Sequence, residues 1–139
     1  MSFSDVYEKK VLEAVFGKGT VSPPANYFIA LCESAPVDGD DSISIAAKEA
    51  TYTGYARVST APGDWSAVTG TNPTQIENAN QIDFPSATGG SSTVTHFAIL
   101  AVDSGAGDMI LHGALSQAKA ITSGDMPQFL SGNLVVTQD

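Results

Sequence analysis

The chain has 139 residues, with 15 acids against 6 lysines and arginines, a net charge of −9 and a pI near 4.3. That balance repels phosphate backbones and anionic lipid heads, which argues against nucleic-acid and membrane-surface partners. Only 15% of the residues are charged and 42% are apolar, the rest being largely Gly, Ser, Thr, Asn and Ala, which favours a particle-borne or extracellular β protein over a metabolic enzyme.

The length suits a single domain with a core that needs no covalent staples. It divides into an N-terminal helical segment, residues 1–19, and a β-rich remainder, residues 20–139. Val6/Tyr7, Val11 and Ala14/Val15 recur every three to four residues, the spacing of a helix with one apolar face. Ser2 or Ser4 is placed to cap it, with Asp5 and Glu8 near its positive end and Gly17 and Gly19 beyond its last turn. Glu8, Lys9 and Glu13 fall on the outward side. Lys9, Lys10 and Lys18 supply half of the chain's 6 basic residues, so this segment is nearly neutral on an acidic molecule. It reads as a solvated helix face or as a docking element for an acidic neighbour.

Pro23-Pro24 stops any continuation, and residues 26–32 then read as a buried strand. Cys32, the single cysteine, ends that apolar run. It rules out an intrachain disulfide and any Cys-based zinc cluster, and it reads as a small buried hydrophobe with no basic neighbour to stabilise a thiolate. Residues 33–53 form a long acidic loop whose Asp38-Gly39-Asp40-Asp41 reads as a solvated tip. It lacks the alternating acids and closing Glu of a calcium loop. Residues 43–47 suit a short turn of helix or an edge strand.

Residues 54–61 are expected to form a second strand, and Trp65 opens a third around Val68. Residues 75–84 alternate Ile76, Asn78, Asn80, Ile82 and Phe84 with Glu77, Ala79, Gln81 and Asp83, a half-polar strand stopped by Pro85. Residues 93–102 are the strongest strand, and residues 103–108 turn it into a hairpin partner at 109–115. Strands at 119–122 and 133–138 complete the set. Seven or eight short strands with turns between them indicate a mainly β chain: an antiparallel β-sandwich, jelly-roll-like, with one N-terminal helix. Its core is expected from Ile29, Leu31, Val58, Ile82, Phe84, Phe97, Ile99, Ile110, Leu134 and Val136. The longest apolar run, residues 97–102, is far shorter than the roughly 20 residues a bilayer span needs. No basic-then-apolar leader opens the chain, so secretion by a signal peptide is not expected.

Chemistry is sparse. His96 and His112 fall on partner strands of one hairpin, but no third ligand is spaced for zinc, and each reads as a histidine satisfied by a hydrogen bond. No nucleophile elbow, phosphate loop or dinucleotide fingerprint is present. No catalytic residue, cofactor or metal is therefore expected. Arg57, isolated in a β segment, calls for a carboxylate partner, with Glu49, Asp64 and Asp83 available. That pair either stabilises the fold or sets the register of a subunit boundary.

Taken in order, these segments resemble a family of small bacteriophage virion proteins, the phage tail fibre proteins. The likeness begins with Leu12 and Phe16-Gly17, then Pro23-Pro24, Tyr27-Phe28-Ile29-Ala30-Leu31 and Ala35-Pro36. It continues through Glu49, Gly54-Tyr55-Ala56-Arg57-Val58, Ile82-Asp83-Phe84-Pro85 and Val94-Thr95-His96-Phe97-Ala98-Ile99. It closes with Gly113-Ala114-Leu115, Ser123-Gly124-Asp125 and Asn133-Leu134-Val135-Val136-Thr137. Ser91-Ser92 stand where the family often has an aromatic-Gly pair, and the loop at 38–48 is longer than usual. The resemblance implies a non-enzymatic virion protein of the tail fibre or baseplate, made in the host bacterial cytoplasm. Small β modules of this kind also decorate capsids as cement proteins, and a receptor- or glycan-binding adhesin is the third reading.

Few charges and Ser/Thr/Ala-rich strands leave a small domain with bare sheet edges, which symmetric association would cover. A homotrimer is therefore expected, with a dimer second, alongside tail or major capsid partners. The candidate interface residues are Lys9, Lys10, Tyr55, Arg57, His96 and Phe97.

Overall fold

The computed structural model describes residues 1–138. In chain order the elements are β1 (Ser2–Phe3), α1 (Asp5–Val15), β2 (Tyr27–Cys32), α2 (Ser42–Ala46) and β3 (Val58–Thr60). After a 3₁₀ turn at Pro62–Asp64 come β4 (Thr74–Glu77), β5 (Ile82–Asp83), β6 (Ser91–Leu100), β7 (Met109–Thr122), β8 (Gln128–Phe129) and β9 (Val135–Gln138). The class is as expected: mainly β, all pairings antiparallel, with a helix at the N-terminus.

The β6–β7 hairpin is the spine of a five-stranded sheet ordered β1-β7-β6-β2-β3. Side chains alternate across a strand, so each strand feeds both faces of the sheet. Ile29, Leu31, Phe97, Ile99 and Leu111 join one buried cluster. Ala30, Cys32, Ala98, Leu100 and Met109 join a second with Ile45 of α2. Burial on both sides explains why residues 27–32 and 97–102 read as unbroken apolar runs rather than alternating ones. The second layer is formed by two short ribbons, β4–β9 and β5–β8, in place of one continuous sheet. All ten expected core residues lie in or against the first cluster, Val58 and Val136 being only partly buried.

Three expected elements come out differently. The strand foreseen at 54–61 starts only at Val58, because Gly54 has φ +98° and its Cα lies against the Ser86 carbonyl, 3.0 Å from where a Cβ would sit. The strand foreseen at 75–84 is cut into β4 and β5, which belong to different ribbons. At the cut the fully buried Asn78 donates from Nδ2 to the carbonyls of Asn80 (2.8 Å) and Leu130 (2.9 Å) and accepts Leu134 N–H at Oδ1 (2.8 Å). A buried amide needs those partners, and a continuous strand would deny them. Around Val68 there is no strand; Trp65 and Thr69 make isolated bridges to Asn78 and Gln75. Conversely, the segments at 109–115 and 119–122 fuse into β7, whose residues 115–118 bow out opposite Thr95 alone.

The helix brings the largest correction. Ser4 caps it, accepting Tyr7 N–H at 3.3 Å, while its own hydroxyl donates to the Met109 carbonyl. Gly17 ends it at φ +66°, with Gly17 N–H on the Ala14 carbonyl and Lys18 N–H on that of Glu13, a Schellman motif. Of the expected apolar stripe, however, only Tyr7 is buried. Val11, Leu12, Val15 and Phe16 are exposed, Val15 at 73% and Phe16 at 71%. The first turns lie beside the start of β7, Lys10 reaches the hairpin turn at Asp108, and the last turns run on without a sheet beneath them.

Gly113 on β7 tests the packing. A Cβ there would meet the buried Phe97 ring at 2.9 Å. Gly113→Ala should lower the unfolding free energy by about 1–3 kcal/mol through overpacking, measured by urea titration of near-ultraviolet circular dichroism.

Candidate functional site

The expected interface residues divide into two kinds. Arg57 and Tyr55 follow the turn at Gly54 and enter the interior together. Arg57 Nε donates to Glu49 Oε1 at 2.8 Å, and Nη2 also reaches that oxygen. Nη1 donates to Ser42 Oγ (2.7 Å) and the Val102 carbonyl (3.2 Å), and Nη2 to the Ser42 carbonyl (2.9 Å). A guanidinium has five N–H donors, and all are used. Tyr55 hydroxyl donates to Glu49 Oε2 at 2.6 Å and accepts Leu31 N–H at 3.1 Å. Burial, then the adjacent Glu49 carboxylate, drives the Tyr55 phenol far above its ordinary value. The Arg57 side chain is 5% exposed and the Glu49 side chain 8%.

Of the three carboxylates open to Arg57, Glu49 is therefore the partner. Asp64 instead holds Ala61 N–H and Asn80, and Asp83 accepts from Gln81. Arg57 and Tyr55 have no free polar group to offer another subunit. Phe97 is likewise in the core, 3% exposed, on an interior strand of the sheet. Alternation on β6 turns it toward the first cluster.

Lys9, Lys10 and His96 remain at or near the surface. Lys9 pairs with Glu13 one turn on. Lys10 bonds Asp108 at 2.6 Å and lies 4.7 Å from the centre of the Tyr7 ring. His96 Nδ1 is 2.8 Å from Thr95 Oγ1, and His112 Nε2 is 2.9 Å from Asp38 Oδ1. The register sets His96 opposite Ala114 and His112 opposite Ala98, so both histidines share a face of the hairpin while keeping separate partners. Among the described residues no three His, Cys, Asp or Glu side chains are grouped to hold a metal ion.

The acidic loop keeps Gly39 and Asp41 exposed, as its composition suggests, but its acids are bonded rather than free. Asp41 caps α2 through Ile43 N–H (3.0 Å) and Ser44 N–H (2.9 Å). Asp40 takes Val37 N–H at 2.8 Å and pairs with Lys48. Asp38 holds His112. The loop folds because each acid finds a donor that a linear reading cannot place beside it. Cys32 is fully buried, and burial, with Glu49 beside it, pushes its thiol up to about 12, so it carries no thiolate at neutral pH.

Two surface features escaped the sequence reading. One is the exposed end of α1, where Leu12, Val15 and Phe16 form a stripe whose period was legible but whose direction was not. The other is an open groove of about 850 Å³ between the bowed part of β7 and residues 126–135, lined by Leu115, Lys119, Met126, Phe129 and Leu130 among others. Nothing in the local pattern of 126–130 announces it, because it opens only where β7 bows away from its pairing with β6 opposite Thr95. The outer edge of β7 beyond its pairing with β1 at Phe3↔Leu111 and Ser2↔His112 has no strand partner among the described residues.

Taken together, the fold is a small β module whose buried polar groups are consumed in holding its own loops, with exposed apolar side chains on the last turns of α1 and at Met126 and Leu130 beside the groove. Residues 2–137 match the family described as Podophage GP4 fiber I protein gp80, and the chain belongs to that family. It is thus a phage fibre-type protein with a structural role in the virion. No curated protein matches the chain. Among the described residues no helix is long and apolar enough to cross a membrane.

Two measurements follow from this site. Arg57→Ala leaves Glu49 buried and unpaired, and should cost about 3–5 kcal/mol of stability by chemical denaturation. The carboxyls also confer a pH dependence. Asp38 is lowered by its bond to His112, and Asp41 by the backbone donors of α2. Burial raises Asp40, but Lys48 and Val37 N–H outweigh it and the net shift is downward. Folded-state values below the unfolded one, about 3.9, mean that this stability is present above that pH and lost as pH falls through the folded values. The denaturation midpoint should hold between pH 7 and 5 and drop below pH of about 4.

Proposed function

We propose that the protein is a non-enzymatic assembly module of a phage tail fibre or of the tail and baseplate apparatus, built from a symmetric homo-oligomer. The observation that carries this reading is the family match over residues 2–137, which runs from β1 into β9. Geometry supports it. The charged groups of the interior are committed to structure, Arg57 to Glu49 and Ser42 and Asp40 to Lys48, and at the surface Asp41 caps α2. A catalytic site needs perturbed groups facing a cleft. Here the second cleft, about 510 Å³, is floored by Arg57 with every donor spent.

Self-association is favoured by the uncovered edge of β7 and by large apolar side chains on the surface, including Leu12, Val15, Phe16, Met126 and Leu130. Exposed edges and apolar patches are what an oligomer covers. A trimer is the proposed state. Its partners in the particle are other virion proteins.

Quantitative mass spectrometry of purified particles tests the location: a handful to a few dozen copies per virion is expected. Hundreds of copies would place the protein on the capsid as a decoration and overturn the tail assignment. Analytical ultracentrifugation of the purified chain tests the trimer, and a monomer at micromolar concentration would overturn it.

A further inference from the structure

The apolar end of α1 and the groove carry opposite charges, and they lie at different places along β7: α1 starts beside Met109 and Ile110, and the groove runs along residues 114–119. On α1, Glu8, Leu12, Val15 and Phe16 follow one another at i, i+4, i+7 and i+8, so they share one face. Leu12 is 59% exposed, and Glu8 is exposed with no ion pair among the described residues. The groove is the converse. Its walls set Leu115, Met126 and Leu130 beside polar Gln117 and Gln128, and its charged lining side chain, Lys119, has no carboxylate partner among the described residues. An acid stands on the apolar ridge and a base in the trough.

The chain cannot fill its own groove with this helix. Ser4 N–H bonds Ile110, the Ser4 hydroxyl bonds Met109, and Lys10 bonds Asp108, so α1 advances as β7 is read backward. Its apolar end therefore points away from residues 114–119, where the groove begins several residues of extended chain farther on, at about 3.3 Å each. Ridge and trough can meet only between molecules.

We propose that the Leu12–Val15–Phe16 face of one copy docks in the Leu115–Met126–Leu130 groove of the next, with Glu8 pairing Lys119. This inference rests on the self-association proposed above and specifies its contact. The two surfaces differ, so the contact is heterologous; with the right rotation it closes a ring, the arrangement a cyclic trimer requires.

The test uses the full chain and substitutions at exposed positions. Phe16→Asp disables the ridge and Leu130→Asp the trough, while unchanged far-ultraviolet circular dichroism reports that each still folds. Each variant alone should sediment as a monomer. Mixed in equal amounts they should form a heterodimer, because one intact ridge then meets one intact trough and the assembly stops there. Glu8→Lys and Lys119→Glu should each weaken wild-type association by about threefold or more, and the double exchange should restore it. A wild-type oligomer that survives both Asp substitutions would overturn this contact while leaving self-association standing. A wild-type monomer would overturn both. Loss of particle incorporation by Phe16→Asp with the oligomer intact would also overturn it, by assigning the ridge to another virion protein.

Discussion

The fold depends on one buried ion pair. Arg57 and Glu49 meet where the loop after α2, the strand β2, and the hairpin turn after β6 converge, and their hydrogen bonds tie Ser42, Val102, Tyr55 and Leu31 to one point. A buried pair of this kind gains little over an apolar substitute in net free energy, since desolvating both charges offsets their attraction. Its effect is on uniqueness: five donors in a fixed fork accept few alternative arrangements of the loops around them. Long loops otherwise have many near-equivalent paths, and residues 33–57 have only the short α2 to guide them.

A second constraint comes from the sheet. Because β2, β6 and the first half of β7 are covered on both faces, something must lie over each face, and a chain of this length has little regular structure to spare. The loop carrying Ile45 covers one face, and the ribbons β4–β9 and β5–β8 cover the other. Polar side chains then do what ladder hydrogen bonds do elsewhere. Ser92 Oγ accepts the N–H groups of Thr51 (2.7 Å) and Tyr52 (3.0 Å) beside the end of β6, and Asn78 joins both ribbons. The many Ser, Thr and Asn residues in the composition are thus structural donors and acceptors, placed where backbone partners run out.

This economy leaves the ends of the molecule unfinished. The last turns of α1 project beyond the sheet, and the bowed half of β7 faces residues 126–135 across an open groove. In the contact proposed above, these two surfaces are the ones that meet.

From the sequence alone came the mainly β class, the hairpin turning at 103–108, the capped N-terminal helix ending at Gly17, and the core from Ile29 to Val136. Each follows from local pattern: apolar spacing, a glycine that accepts positive φ, or turn chemistry between two apolar runs. The Gly-Tyr-Ala-Arg and Val-Thr-His-Phe segments also carried the family, and Arg57 declared its need for a carboxylate. Tertiary structure alone chose Glu49 from among the acids, broke the strand at Asn78, and drew the acidic loop into bonds with His112 and Lys48. It also turned the helix stripe outward. A periodic stripe states that a helix has an apolar face. Which surface meets that face depends on where distant strands end, and that is a property of the folded chain.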